Sequence, residues 1–315
     1  MSHQKRITCF VLLFIALIAS VTSSSSWDLY LKTKKYLYVW GYPKTENFLN
    51  FVKDHNFSRV YLYIGCVEWD VDNLVEGNFH NAGETDAKEL VQSLLDMGVE
   101  VEPTIYLNDG PNNFANVDKV EDVAKAMATL QKTLKFKALH FDVEPSSTGN
   151  YEALLKMYET ARKYLKVSAI LKPGWLNQNM ASLEKKFTSS EYFAKFKDCE
   201  TFIDALMMVT DYSDLMAYSK TYEGINNFLD KYEVIKKRHP EHEAKPVIEL
   251  DPSVKNDGIY AKYKEDHDTF FKFLNEVSER FDGITIHQYQ VWAKDLYCEV
   301  QKKDTVYYFG EPKEC

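Results

Sequence analysis

Eight short runs of β-branched and aromatic residues, separated by longer segments with helical spacing, restrict the fold of this chain more than any other feature. The runs fall at residues 36–40, 59–65, 99–106, 138–144, 167–171, 213–218, 246–250 and 283–289. Strands that alternate with helical segments pair in parallel through crossover helices. Eight such units predict an α/β chain closed into a (β/α)8 TIM barrel. The usual size of about 250 residues for that barrel fits one domain over residues 27–315 with a few insertions.

The helical segments carry their own signals. Thr45 starts one, residues 84–97 place Leu90, Leu94 and Leu95 on one face, and residues 118–134 and 150–165 repeat the form. Leu154, Leu155, Tyr158 and Ala161 make an apolar stripe suited to a barrel wall. Residues 181–210 exceed the need of one crossover, and residues 220–239 are charged and aromatic, so insertions are expected around both.

Residues 1–24 have the layout of a cleavable secretory signal. Lys5 and Arg6 precede an apolar run over residues 7–19, then small and polar residues through Ser26. The run is short for a membrane span; an uncleaved anchor is the weaker alternative. The mature chain is expected outside the cell or in the lumen of the secretory route, with no membrane association. A formal net charge of -9, without a basic block, argues against nucleic acid as a partner. Cys66, Cys199, Cys298 and Cys315 remain after cleavage. Their even number in an oxidising route predicts two disulfides in one of three pairings, with reduced thiols as the alternative. Asn56-Phe57-Ser58 is a glycosylation sequon.

The chemistry concentrates in Leu139-His140-Phe141-Asp142-Val143-Glu144-Pro145. On a strand, His140, Asp142 and Glu144 share one side and Phe141 and Val143 the other. Placing two carboxylates and an imidazole in a core costs several kcal/mol unless they are paired, which points to the barrel interior or its rim. Neighbouring carboxylates do not both ionise cheaply, so one is expected to hold a proton. Glu144, nearest the strand end, is the candidate general acid, and Asp142 below it the orienting group. A buried Asp–Glu pair that only closes the barrel is the structural alternative.

These residues resemble glycoside hydrolase family 18, the chitinase-like barrels, whose fourth strand carries D-x-x-D-x-D-x-E. Asp142 and Glu144 match the last two positions, while Lys137 and His140 occupy the first two. On the sixth strand, Met216-Ala217-Tyr218 resembles the family's M-x-Y segment. The resemblance implies a glycosidase acting on an N-acetylated glycan by substrate assistance. In that chemistry the sugar's acetamido oxygen attacks its own anomeric carbon while the glutamate protonates the leaving group. Glu144 would be acid and base, Asp142 would orient the acetamide and Tyr218 would hydrogen-bond it.

Strand eight continues through Gln288 and Tyr289 to Trp292, a candidate for the family's tryptophan floor. Trp40, Trp175, Met216, Glu249, Gln288, Tyr289 and Trp292 complete the expected substrate-binding set, because aromatic rings offer faces to sugar C–H groups. Trp69 and Tyr106 are further strand-end aromatics. Two other readings stand beside this one. Glu249 on strand seven would serve as nucleophile in a retaining pair with Glu144, or the barrel would bind glycans without cleaving them. A metal set of His140, Asp142 and Glu249 is weaker, since nothing fixes its spacing. With no Gly-rich phosphate loop, H-E-x-x-H, G-x-S-x-G or paired-cysteine motif, no metal and no cofactor are expected.

Overall fold

The computed structural model describes residues 34–40, 45–66, 72–76, 87–108, 117–144, 151–250, 258–287, 306–308 and 311–313. Eight parallel strands close into a barrel: β1 (Lys35–Val39), β2 (Arg59–Cys66), β3 (Glu100–Asn108), β4 (Leu139–Glu144), β5 (Val167–Leu171), β6 (Tyr212–Met216), β7 (Glu243–Glu249) and β8 (Ile284–His287). β1 makes the closure by pairing with both β2 and β8. The eight-unit barrel read from the alternation is the fold observed.

Side-chain alternation along the strands divides the interior into two cores. Outward residues such as Leu37, Leu62, Ile105, Phe141, Val143 and Leu215 pack with helix residues including Phe48, Leu90, Met127, Tyr158 and Phe270. Inward residues Tyr36, Tyr38, Tyr61, Ile170 and Val247 form a smaller cluster inside the barrel, with Trp40, Met216 and Tyr218 packed against it. The strand-four parity is therefore as read: Phe141 and Val143 face the helices, and His140 faces the interior.

The barrel floor is ionic. Arg59, at the start of β2, is buried and pairs with Glu100 at 2.7 Å, Glu102 at 3.2 Å and Glu243 at 2.7 Å. Lys137 adds a second cation between Glu100 and Glu243, at 3.2 Å from each. Lys245 donates to the carbonyls of Phe281 and Asp282, both at 2.8 Å, and so ties β7 to the last turn before β8. These contacts explain why β7 begins three residues earlier than its apolar run. Glu243 and Lys245 read as loop residues but point into the floor, where cations and carbonyls partner them.

The crossover after β5 is enlarged as expected. Two 3-10 turns, Pro173–Asn177 and Met180–Lys186, precede the short helix Ser190–Ala194 and the helix Phe202–Val209. Glu152 binds the insertion back to the wall: its Oε2 accepts from the backbone N–H of Thr188 and Ser189. Thr201 and Asp204 form a reciprocal cap on the last helix. The expected insertion at residues 220–239 is corrected, because that stretch is one regular crossover helix, Tyr222–Arg238. Its charges form a solvated face while Ile225, Leu229, Tyr232 and Ile235 are buried. A small antiparallel pair, Val306–Tyr308 with Glu311–Lys313, follows the barrel.

Cys199 is a free thiol whose Sγ lies 3.4 Å from Met208 Sδ. Two bridges drawn from all four cysteines are therefore not formed; Cys298 and Cys315 lie outside the described residues. So does the signal segment. Asn56 of the sequon is exposed, in a left-handed turn with φ 52° before β2. Among the described residues, no helix is long and apolar enough to cross a membrane.

Candidate active site

The C-terminal ends of the strands form the mouth of a parallel barrel, and this is where such barrels work. β4 delivers Asp142 there, buried, with Glu144 as the last residue of the strand. Their register partners on β3 are Tyr106 and Asn108. The side chain of Glu144 lies outside the described residues.

Beneath Asp142, His140 is fully buried between two hydroxyls: Tyr38 Oη at 2.8 Å from Nε2 and Ser168 Oγ at 2.8 Å from Nδ1. Ser168 in turn donates to Glu102 Oε2. An ionised carboxylate only accepts, so Ser168 must accept from His140 Nδ1–H, and Nε2 then accepts from Tyr38. Burial, reinforced by the positive charge of Arg59, pushes the His140 pKa down to about 3. The imidazole is neutral in the working range, and the whole chain is directed toward the ionic floor.

Asp214 on β6 is buried in the same interior, with Oδ1 3.2 Å from Thr285 Oγ1. Burial and the charge of Glu102 raise its pKa to about 7. Burial also raises Glu102, and Arg59 opposes that rise. Burial beside the negative charge of Glu102 therefore keeps Asp214 largely protonated below pH 7.

The mouth is walled by aromatic rings. Trp40 lies parallel to Tyr38, 8° between planes and 6.2 Å between centroids, and Tyr38 stacks on Tyr61 at 4.5 Å. Tyr106 meets Trp40 edge-on at 6.2 Å. Trp40 Nε1 donates to His287 Nε2, and His287 Nδ1 lies 2.6 Å from Glu249 Oε2. Tyr218 lies 5.8 Å from the same imidazole.

No known protein-family model and no curated protein sequence matches the chain. Solved structures do. A chitinase from Bacteroides thetaiotaomicron superposes with a TM-score of 0.51 at 10% identity, covering 81% of this chain and 89% of that one. The Bacillus cereus spore cortex-lytic enzyme SleL gives a TM-score of 0.50 at 10% identity, covering 82% of this chain and 71% of that one. The likeness is one of fold, a closed eight-stranded parallel barrel shared with these enzymes.

On this barrel, Asp142, Tyr218, Trp40, Met216 and Glu249 fall on inward positions at or near the mouth, with Glu144 following Asp142 on the same strand. Trp175 does not join them. It sits in the turn after β5 and packs edge-on against Phe202 at 5.3 Å, within the core between strands and helices. Trp69, Gln288, Tyr289 and Trp292 lie outside the described residues. Among the described residues no cluster of His, Cys, Asp and Glu could hold a metal ion, so His140, Asp142 and Glu249 are not assembled as a ligand set.

Sequence reasoning missed Arg59, Glu102, Ser168 and Asp214. The available signal was parity, and it reaches only Ser168, which is the register partner of His140. The turn that follows Tyr218 is also built tightly. Thr221 accepts from the backbone N–H of Gly224 at 3.0 Å, and a Cβ at Gly224 would stand 2.1 Å from Ser219 Oγ.

Proposed function

We propose that this chain is a secreted glycosidase that hydrolyses an N-acetylated glycan by substrate assistance, with Glu144 as acid and base. The observation that carries the reading is the end of β4. A buried Asp142 stands two residues before Glu144 at the barrel mouth, on the inward face, in the same interior as Tyr218 and the aromatic wall.

In this scheme Glu144 protonates the glycosidic oxygen as the C–O bond breaks. The acetamido carbonyl oxygen of the same sugar attacks the anomeric carbon and forms a cyclic ion. Glu144, now a carboxylate, takes a proton from the water that opens that ion. Asp142 orients the acetamide and Tyr218 hydrogen-bonds it. Neutral His140 stands where the family motif carries a carboxylate, so no second negative charge comes from that position beneath Asp142. The chitinase and cortex-lytic neighbours support a carbohydrate ligand on this fold, although a fold hosts many chemistries and the residues carry the assignment.

The test is hydrolysis of fluorogenic N-acetylglucosaminides and plain glucosides by the mature protein from pH 4 to 8. Turnover confined to N-acetylated substrates is expected. Cleavage of plain glycosides would refute substrate assistance. Binding of N-acetylated oligosaccharides without turnover at any pH would leave a glycan-binding barrel in place of an enzyme.

A further inference from the structure

We infer that Glu249 and His287 are positioning residues that hold Trp40 as the stacking platform for one sugar ring, an assignment that rests on the glycan reading above.

Trp40, His287 and Glu249 come from β1, β8 and β7, three consecutive strands of the closed barrel. An indole N–H can only donate, so His287 Nε2 accepts from Trp40 Nε1. The neutral ring then carries its proton on Nδ1, which donates to Glu249 Oε2 at 2.6 Å. Glu249 is itself buried and is the direct register partner of His287 across the β7–β8 ladder. This carboxylate–imidazole pair fixes the tautomer and the ring orientation, much as an outer carboxylate orients a metal-bound histidine. The imidazole transmits that orientation to the indole.

The indole is also fixed from below and from the side. Tyr38 lies parallel beneath it and is held by His140, while Tyr106 meets it edge-on. Rotating the indole would break both the N–H bond and the stack. Trp40 nevertheless remains half-buried at the strand end, with Tyr63 tilted against it at 5.7 Å, and its exposed part is what a ligand in the mouth would meet. A flat, immobilised aromatic face is what the C–H side of a pyranose packs against, and a platform already held in place loses little freedom on binding.

The assignment makes Glu249 a positioning group and not a nucleophile, and the two roles separate in one set of variants. Binding of tri-N-acetylchitotriose, with cellotriose as the plain comparison, is measured by calorimetry for wild type and Trp40→Ala. Steady-state kinetics are measured for Glu249→Leu and Glu249→Gln. The Trp40 indole N–H is followed by 15N NMR in each protein.

Trp40→Ala is expected to weaken trisaccharide binding about tenfold or more with the fold intact. Glu249→Leu should raise KM about tenfold while kcat falls less, with faster solvent exchange of the indole N–H. Glu249→Gln, whose amide oxygen can still accept from Nδ1–H, should recover part of the KM and the slow exchange. Unchanged trisaccharide binding in Trp40→Ala overturns the platform alone. Loss of kcat by about a thousandfold in Glu249→Gln, restored by azide, overturns the positioning role in favour of a nucleophile. A wild-type protein that binds neither trisaccharide overturns the platform together with the glycan reading.

Discussion

Asp214→Asn should reverse the order of stability between acid and mildly alkaline solution. Asp214 is buried, and its pKa rises from 3.8 to about 7 through burial and the charge of Glu102. A raised acid pKa means that the folded state holds the proton more tightly than the unfolded chain. Asp214 therefore costs nothing below the unfolded value of 3.8, and its cost grows as pH rises toward 7. Raising the pKa from 3.8 to about 7 corresponds to about 4 kcal/mol of lost stability above pH 7.

Asparagine removes that ionisation and keeps an oxygen that can accept from Thr285 Oγ1. Its amide N–H group, if left without a partner, costs about 1–3 kcal/mol at every pH. The two effects oppose each other, and their balance changes sign with pH. Urea unfolding at pH 4 should find the variant less stable by about 1–3 kcal/mol, and at pH 8 more stable by a similar margin. A stability difference independent of pH between 4 and 8 would refute the claim that Asp214 holds its proton in the native barrel.

Removing Arg59 as Arg59→Met should destabilise the fold by about 3–5 kcal/mol, because Glu102 is left as an uncompensated buried charge; thermal unfolding at neutral pH measures it. Gly224→Ala forces a Cβ into Ser219 Oγ and should cost about 1–3 kcal/mol, with Tm as the readout. Mass-spectrometric mapping of alkylated, non-reduced protein should find Cys199 modified and unbridged. The partly buried thiol, whose pKa is raised to about 11 by burial first, should react slowly at neutral pH.

Much of this architecture was legible because apolar periodicity reports the wall between strands and helices. Phe141, Val143, Leu62 and Ile248 all lie in that outer core. The interior is harder to read, since a strand whose inward face is polar looks like a loop at its start. Glu243 and Lys245 delayed the reading of β7 for that reason, and the polar face of Tyr222–Arg238 resembled an insertion. At the site, strand parity put His140 on the inward face, where it meets Tyr38 and Ser168. The partners did not follow from it. Pairing Glu249 with His287 requires the register between β7 and β8, which no local pattern encodes. Trp175 was misplaced for a related reason. A tryptophan just past a strand end can turn toward the mouth or the wall, and here Phe202 on a later helix holds it at the wall.

The central claim is that Glu144 performs the proton transfers, and Glu144→Gln tests it most directly. The variant keeps size and shape while removing the exchangeable proton. Hydrolysis of a fluorogenic N-acetylated chito-oligosaccharide should fall by at least about a hundredfold in kcat, with trisaccharide affinity and Tm near those of wild type. Turnover by Glu144→Gln at the wild-type rate would contradict the account.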